Sequence, residues 1–119
     1  MKNLMTPISE TELEILMNTH KPIAIETDMT IVYEKQIPNN GVILVEGEIE
    51  FKKKRKAQIN TKDRCIVGVR EVVNNIPIQY SCTIKKNSLI IFLGRSELLN
   101  LNESRKELFP LIKKFLTPQ

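Results

Sequence analysis

The sequence predicts a mainly β fold with flanking helices, in which short strands form a sandwich or barrel. The first observation is an unbroken apolar run, Val42 to Val45, which Gly47 separates from an alternating stretch. In that stretch Ile49 and Phe51 share one face and charged residues occupy the other, the period of a half-buried strand. The second observation is that similar short runs recur along the chain with turn residues between them, as in sandwiches and barrels.

Length and composition limit the class of protein. The 119 residues suffice for one domain with a single core, and a hydrophobic content of 41% is ordinary for a globular chain. The net charge of +4 is mildly basic. No apolar run approaches the ~18 residues that cross a membrane, so we expect no membrane association. With only Cys65 and Cys82 and no signal peptide, we expect a cytoplasmic protein with reduced thiols.

The N-terminal part predicts a leader and one helix. Residues 1–7 are expected to be loosely held. Ser9 followed by Glu12 has the spacing of a capping box, so a helix is predicted within residues 8–20, amphipathic over 10–18. Pro22 ends it.

The β part of the chain is predicted to span residues 22–93. Its strands are expected at 22–26, 29–34, 42–46, 48–53, 57–59, 64–67, 79–85 and 88–93. Asn40-Gly41, at the end of the stretch Pro38 to Gly41, predicts a tight turn with positive φ, and Lys86-Asn87 predicts another. Gly47 predicts a bend between two strands.

The C-terminal part predicts helices over residues 95–116. Ser96 to Leu101 is expected to form one or two turns, and Asn102 to cap a second helix through Phe115. Pro110 lies inside that second helix and is expected to kink it. We expect no DNA-binding or catalytic domain after Gln119.

One part of this pattern resembles a known family. The apolar run, glycine and alternating strand within Thr30 to Phe51, together with Gly68 and the strand Ser81 to Ile84, resemble the cyclic nucleotide-binding domain family. The resemblance covers residues 9–116. It implies a jelly-roll or CRP-like β-roll, an N-terminal helix packed on it, C-terminal helices, and a phosphate-binding cassette that begins at Gly68.

The candidate ligand site implied by the resemblance is this cassette. Its candidate residues are Gly68, Val69, Arg70, Glu71, Tyr80, Ser81, Cys82 and Thr83. In the family a glutamate follows the glycine, where this chain has Val69, and an arginine precedes the Ser/Thr-Ala pair, where it has Tyr80. Ile78 and Gln79 resemble an insertion, and Cys82 replaces the alanine. Both polar anchors of a cyclic nucleotide are therefore missing.

Two interpretations of the cassette remain open. Arg70 and Glu71 could replace the lost anchors, but their order is reversed, and we favour solvated surface charges. The interpretation we favour for the whole segment is an apolar plug. In it, the side chains that fill the space of a base are Val69, Val72, Val73 and Ile76.

A basic run is the strongest electrostatic feature. It comprises Lys52, Lys53, Lys54, Arg55 and Lys56. Five like charges repel one another, so we predict a hairpin tip in water or against an anionic partner. Aromatic content is only 5%, which disfavours nucleic acid and favours an acidic protein.

Catalysis and metal binding have little support in the sequence. His20 is the single histidine, and no spacing of ligands typical of a metal site is present. We therefore expect no cofactor and no enzyme activity. The sequence favours a regulatory or adaptor module that binds a protein partner and has lost cyclic nucleotide binding. The alternative is a receptor for a cyclic nucleotide or dinucleotide second messenger with a non-standard cassette. The sequence leaves the oligomeric state open.

Overall fold

The described part of the chain contains nine strands, two helices and a few further helical residues after the last strand. The computed structural model of the protein describes residues 5–54, 58–96 and 98. The strands are β1 (Met5–Pro7), β2 (Ile23–Ile25), β3 (Met29–Val32), β4 (Asn40–Glu46), β5 (Ile49–Lys52), β6 (Ile59–Thr61), β7 (Cys65–Val67), β8 (Ser81–Ile84) and β9 (Ser88–Gly94). The helices are α1 (Glu10–Met17) and α2 (Val69–Asn74).

Two antiparallel sheets face each other. One has the strand order β1-β7-β4-β9-β2, and the other has the order β3-β8-β5-β6. Every pairing within them is antiparallel. An inner core of buried side chains from both sheets fills the space between them. The predicted mainly β fold with a flanking N-terminal helix is confirmed.

The central strand of the five-stranded sheet, β4, is buried on both faces. Val42 and Leu44 of β4 point into the inner core, whereas Ile43 and Val45 point to the opposite face. There they join an outer core that α1 and α2 cover. A strand covered on both faces has no solvent side, which explains why the run Val42 to Val45 is unbroken rather than alternating.

Several local predictions are confirmed. Ser9 caps α1, and the capping box with Glu12 is present. Ile49 and Phe51 are buried on one face of β5. Gly47 has φ of 113°, and a Cβ there would lie 2.2 Å from the Ser88 hydroxyl oxygen, so the bend requires glycine.

Three local predictions are wrong. The end of the expected leader, Met5–Pro7, forms β1 because β7 supplies a paired neighbour. Asn40 and Gly41 do not turn but begin β4. The positive φ lies earlier, at Lys35 (72°), where the Gln36 amide donates to the Tyr33 carbonyl. The strand expected at 57–59 is instead β6, Ile59–Thr61, and residue 57 lies outside the described residues.

The predicted C-terminal helices fall mostly outside the described residues, including the expected kink at Pro110. Arg95, Ser96 and Leu98 are helical, and Leu98 is fully buried in the outer core beside α2. Within the described part of the chain, no helix combines the length and apolar character needed to cross a membrane.

Candidate functional site

The cassette is a single short helix held at both ends by left-handed residues. Gly68 has φ of 84° and precedes α2, and Asn75 has φ of 56° and ends it. The amide of Val72 donates to the Gly68 carbonyl (2.9 Å), and the amide of Ile76 to the Glu71 carbonyl (3.0 Å). The predicted place of the cassette, directly after β7, is therefore occupied by a helix and loop between two strands.

The predicted apolar plug is only partly formed. Val69 and Val72 are buried, and Val73 packs against them, but all three belong to the outer core rather than to the space between the sheets. Ile76 is 40% exposed, so its assignment to the plug is wrong. Ile78 fills the inner core from this segment instead. The apolar character of Ile78 is the signal in the sequence that it belongs to the core rather than to an insertion.

Glu71 is buried rather than solvated, which corrects the interpretation from the sequence. Its exposed fraction is 8%, and burial raises the pKa of its carboxyl group. Its own backbone N–H and the charge of the half-buried Arg70 oppose that rise. Among the described residues, no other side chain forms an ion pair or hydrogen bond with this carboxylate. The cassette therefore contains an internal acidic group.

Glu71 lies close enough to Cys82 to affect its thiol. Burial raises the pKa of Cys82 to about 12, and the charge of Glu71 adds to this effect. Burial likewise raises the pKa of Cys65 to about 12. Both thiols are free and buried, so neither supplies a thiolate near neutral pH.

The closing segment of the cassette uses its polar groups for packing within the fold. The Ser81 hydroxyl accepts from the Glu34 amide (2.9 Å), and the Thr83 hydroxyl lies 2.9 Å from that of Thr30. The Cys82 thiol donates to the Tyr80 carbonyl (3.7 Å). The Ser81 and Thr83 contacts join β8 to the edge strand β3 and the turn after it.

The described part of the basic run, Lys52 to Lys54, lies at the end of β5 and directly after it. Lys52 and Lys54 are exposed, and the Lys53 ammonium lies 5.4 Å from the centre of the Tyr80 ring. The Lys54 amide donates to the Glu34 carboxylate (2.8 Å). Arg55 and Lys56 lie outside the described residues. The start of the run is thus fixed beside the cassette, which the sequence did not predict.

A small cavity adjoins the cassette. It has a volume of about 80 Å³ and is lined by residues that include Val32, Pro38 and Asn40. Pro38 and Asn40 also lie next to Gly68. Ligand pockets in proteins usually measure roughly 300–1,000 Å³, so this cavity is too small for a nucleotide.

A larger open cleft lies at the other end of the roll, where three turns meet. Its volume is about 570 Å³, and it is lined by Lys62, Arg64 and Lys86 together with Glu46 and Glu48. Lys85 also lines it but pairs with Asp28 at 2.8 Å. Among the described residues, Lys62, Arg64 and Lys86 form no ion pair. The sequence analysis missed this cleft because its cations come from two separate turns.

Comparisons with known proteins identify the fold. No family model matches the sequence, and neither does any curated protein. Among solved structures, a chain from work on a cyclic-GMP-dependent signalling pathway that regulates bacterial phytopathogenesis is 11% identical with a TM-score of 0.77, covering 92% of this chain and 90% of that one.

Two further structures agree. A cyclic nucleotide-binding-like protein from Brucella abortus is 15% identical with a TM-score of 0.62, covering 81% of this chain and 86% of that one. The c-di-GMP-responsive global regulator CLP of Xanthomonas campestris is 8% identical with a TM-score of 0.65, covering 87% of this chain and 54% of that one. The protein therefore has the cyclic nucleotide-binding domain fold, a CRP-like β-roll.

Proposed function

We propose that the protein is a non-enzymatic regulatory or adaptor module of the cytoplasm, which binds a protein partner and whose cassette does not bind a cyclic mononucleotide. The observation that carries the second part is the size of the cavity beside the cassette, about 80 Å³, which is too small for a nucleotide.

The missing anchors support the same conclusion. An arginine–phosphate contact and a carboxylate–hydroxyl hydrogen bond are charge-assisted, each worth about 1.5–3 kcal/mol. Loss of both removes about 3–6 kcal/mol, or two to four powers of ten in affinity. The Tyr80 hydroxyl is neutral near pH 7 and cannot replace the arginine charge.

Exposed charge supports the proposed binding role, and the inert thiols support the proposed absence of catalysis. The basic run offers an anionic partner a fixed surface beside the cassette, and exposed charges of this kind accelerate association. Because burial raises the pKa of both thiols to about 12, cysteine-based catalysis has no support.

Isothermal titration calorimetry with cyclic AMP and cyclic GMP tests the proposal. We expect no binding at concentrations up to about 100 micromolar, and the same result for Arg70→Ala. A dissociation constant at or below about 10 micromolar for either nucleotide, abolished by Arg70→Ala, would overturn the proposal and favour the receptor.

The cleft lined by Lys62, Arg64 and Lys86 favours a second candidate function, a receptor for an anionic dinucleotide. Its volume is in the range of small-molecule sites, and its three unpaired cations match two phosphates better than the cassette does. Titration with cyclic di-GMP tests this. The receptor would be supported if the protein binds cyclic di-GMP and the double variant Lys62→Ala with Arg64→Ala abolishes this binding. The control variant Lys53→Ala with Lys54→Ala should leave it intact.

A further inference from the structure

Exposed apolar side chains cluster beside the cassette. The turn after β3 runs antiparallel to the loop before β8: the Lys35 amide donates to the Ile78 carbonyl (2.7 Å), and the Ile78 amide donates to the Gln36 carbonyl (2.8 Å). This pairing extends the β3–β8 ladder, in which Val32 faces Cys82. These hydrogen bonds therefore hold the turn that carries Tyr33 and Ile37 against the loop that carries Ile76 and Tyr80.

Three of these side chains are open to solvent. Tyr33 is 60% exposed, Ile37 43% and Ile76 40%. A single exposed apolar side chain is ordinary, but neighbouring ones on two paired segments form a patch. Tyrosine and isoleucine at such a position are typical of a protein interface, because they bury a large area on binding.

Positive charge borders this patch in a fixed position. Tyr80 lies under the Lys53 ammonium, and Glu34, in the same turn as Tyr33, accepts from the Lys54 amide. The hairpin tip is therefore attached to the segment that carries the apolar side chains. We call Tyr33, Ile37 and Ile76 with Lys52, Lys53 and Lys54 the cassette-side surface.

We infer that the cassette-side surface binds an acidic protein segment that presents apolar side chains, such as an amphipathic helix with glutamates along one side. This inference rests on the proposed function and names its partner chemistry. The apolar side chains supply buried area, and the lysines supply charge complementarity. A second copy of this chain is disfavoured as the occupant because its own lysines would face these. Single-stranded nucleic acid is disfavoured because isoleucines offer no ring on which bases stack.

The test uses a fluorescein-labelled synthetic helical peptide with leucine on one face and glutamate on the other, measured by fluorescence anisotropy. Two matched peptides serve as controls. In one, every glutamate is replaced by lysine, and in the other, every leucine is replaced by serine. We expect the acidic amphipathic peptide to bind at least about tenfold more tightly than either. A labelled oligothymidine of similar length is expected not to compete.

Two pairs of variants locate the site. One double variant removes apolar side chains, Tyr33→Ser with Ile37→Ser, and the other reverses charges, Lys53→Glu with Lys54→Glu. Each is expected to weaken peptide binding by about tenfold or more. The matched controls are Met17→Ser with Ile23→Ser, which remove exposed apolar side chains elsewhere, and Lys62→Glu with Lys86→Glu, which reverse charges in the distant cleft. These are expected to change binding by no more than about twofold.

Absence of peptide binding, equal losses in the control variants, or displacement by oligothymidine would each overturn the inference. Perturbation of the Glu34, Lys35 and Ile76 amide signals by the peptide provides a second measurement on the unmodified protein. The cyclic nucleotide titration decides the proposed function separately. If neither nucleotide nor peptide binds, the cassette proposal stands and this surface is not the partner site.

Discussion

Glu71 is the buried acidic residue of the cassette. It lies on a six-residue helix on which Val69 and Val72 are buried in the outer core, and its own side chain is largely removed from water. Burial disfavours its charged form and raises its pKa, and the opposing effects of its backbone N–H and of the Arg70 charge are smaller.

We predict that Glu71→Gln stabilises the protein at pH 7 by on the order of 1 kcal/mol, the lower end of the cost of a buried polar group with few partners. A raised pKa in the folded state means that the folded protein binds this proton more tightly than the unfolded chain. Stability therefore falls as pH rises from the ordinary pKa through the raised one. The gain from Glu71→Gln should accordingly shrink as the pH approaches 4.

Urea denaturation at pH 7 and pH 4 measures this effect. Glu26→Gln, at an exposed position after β2, is the control and should change stability little at either pH. A Glu71→Gln protein less stable than the original at pH 7, or a difference independent of pH, would contradict the account of Glu71.

At the scale of elements, the β5–β6 hairpin is tied to the turn after β3 by one side-chain acceptor. The Glu34 carboxylate accepts a hydrogen bond from the Lys54 amide (2.8 Å), and this bond is exposed to solvent. Since the bond is exposed, it contributes little to global stability but restrains the tip locally.

We predict that Glu34→Ala accelerates hydrogen exchange of the Lys54 amide and leaves the melting temperature within about 3 °C of the original. Glu34→Gln keeps an acceptor oxygen and should preserve the slow exchange. NMR-detected exchange distinguishes the two variants. Unchanged exchange in Glu34→Ala would show that the tip is held by other contacts.

At the scale of the whole molecule, alternation and the bend at Gly47 predicted the mainly β fold because those signals are local. Ile49 and Phe51 lie on the buried face that their spacing indicates, and Gly47 has the positive φ that its place between two strands suggested. The failures involve long-range partners. Met5–Pro7 is a strand only because β7 lies beside it.

The burial of Glu71 was also beyond the sequence. A charged residue next to Arg70 on a short helix gives no local sign that its side chain faces inward. Likewise, the cassette-side surface and the distant cleft each combine residues from separate turns. The sequence identifies which residues stand at the family's anchor positions, Val69 and Tyr80, but it could not place the groups around them.

The stability of the whole molecule gives a final prediction about ligands. A ligand at about 100 times its dissociation constant stabilises the native state by about 2.7 kcal/mol. For a domain of this size each kcal/mol raises the melting temperature by roughly 2–8 °C. At about 1 millimolar, cyclic AMP bound with a dissociation constant of about 10 micromolar would therefore raise it by roughly 5–20 °C.

We expect a change of no more than about 1 °C with cyclic AMP or cyclic GMP, because Val69 and Tyr80 stand where the family has its glutamate and its arginine. The net charge of +4 allows any anion to stabilise the protein slightly, so sodium pyrophosphate at equal ionic strength is the control. Differential scanning fluorimetry measures all three. A rise above about 5 °C with a cyclic mononucleotide, absent with pyrophosphate, would show that the protein binds the nucleotide without the two family anchors.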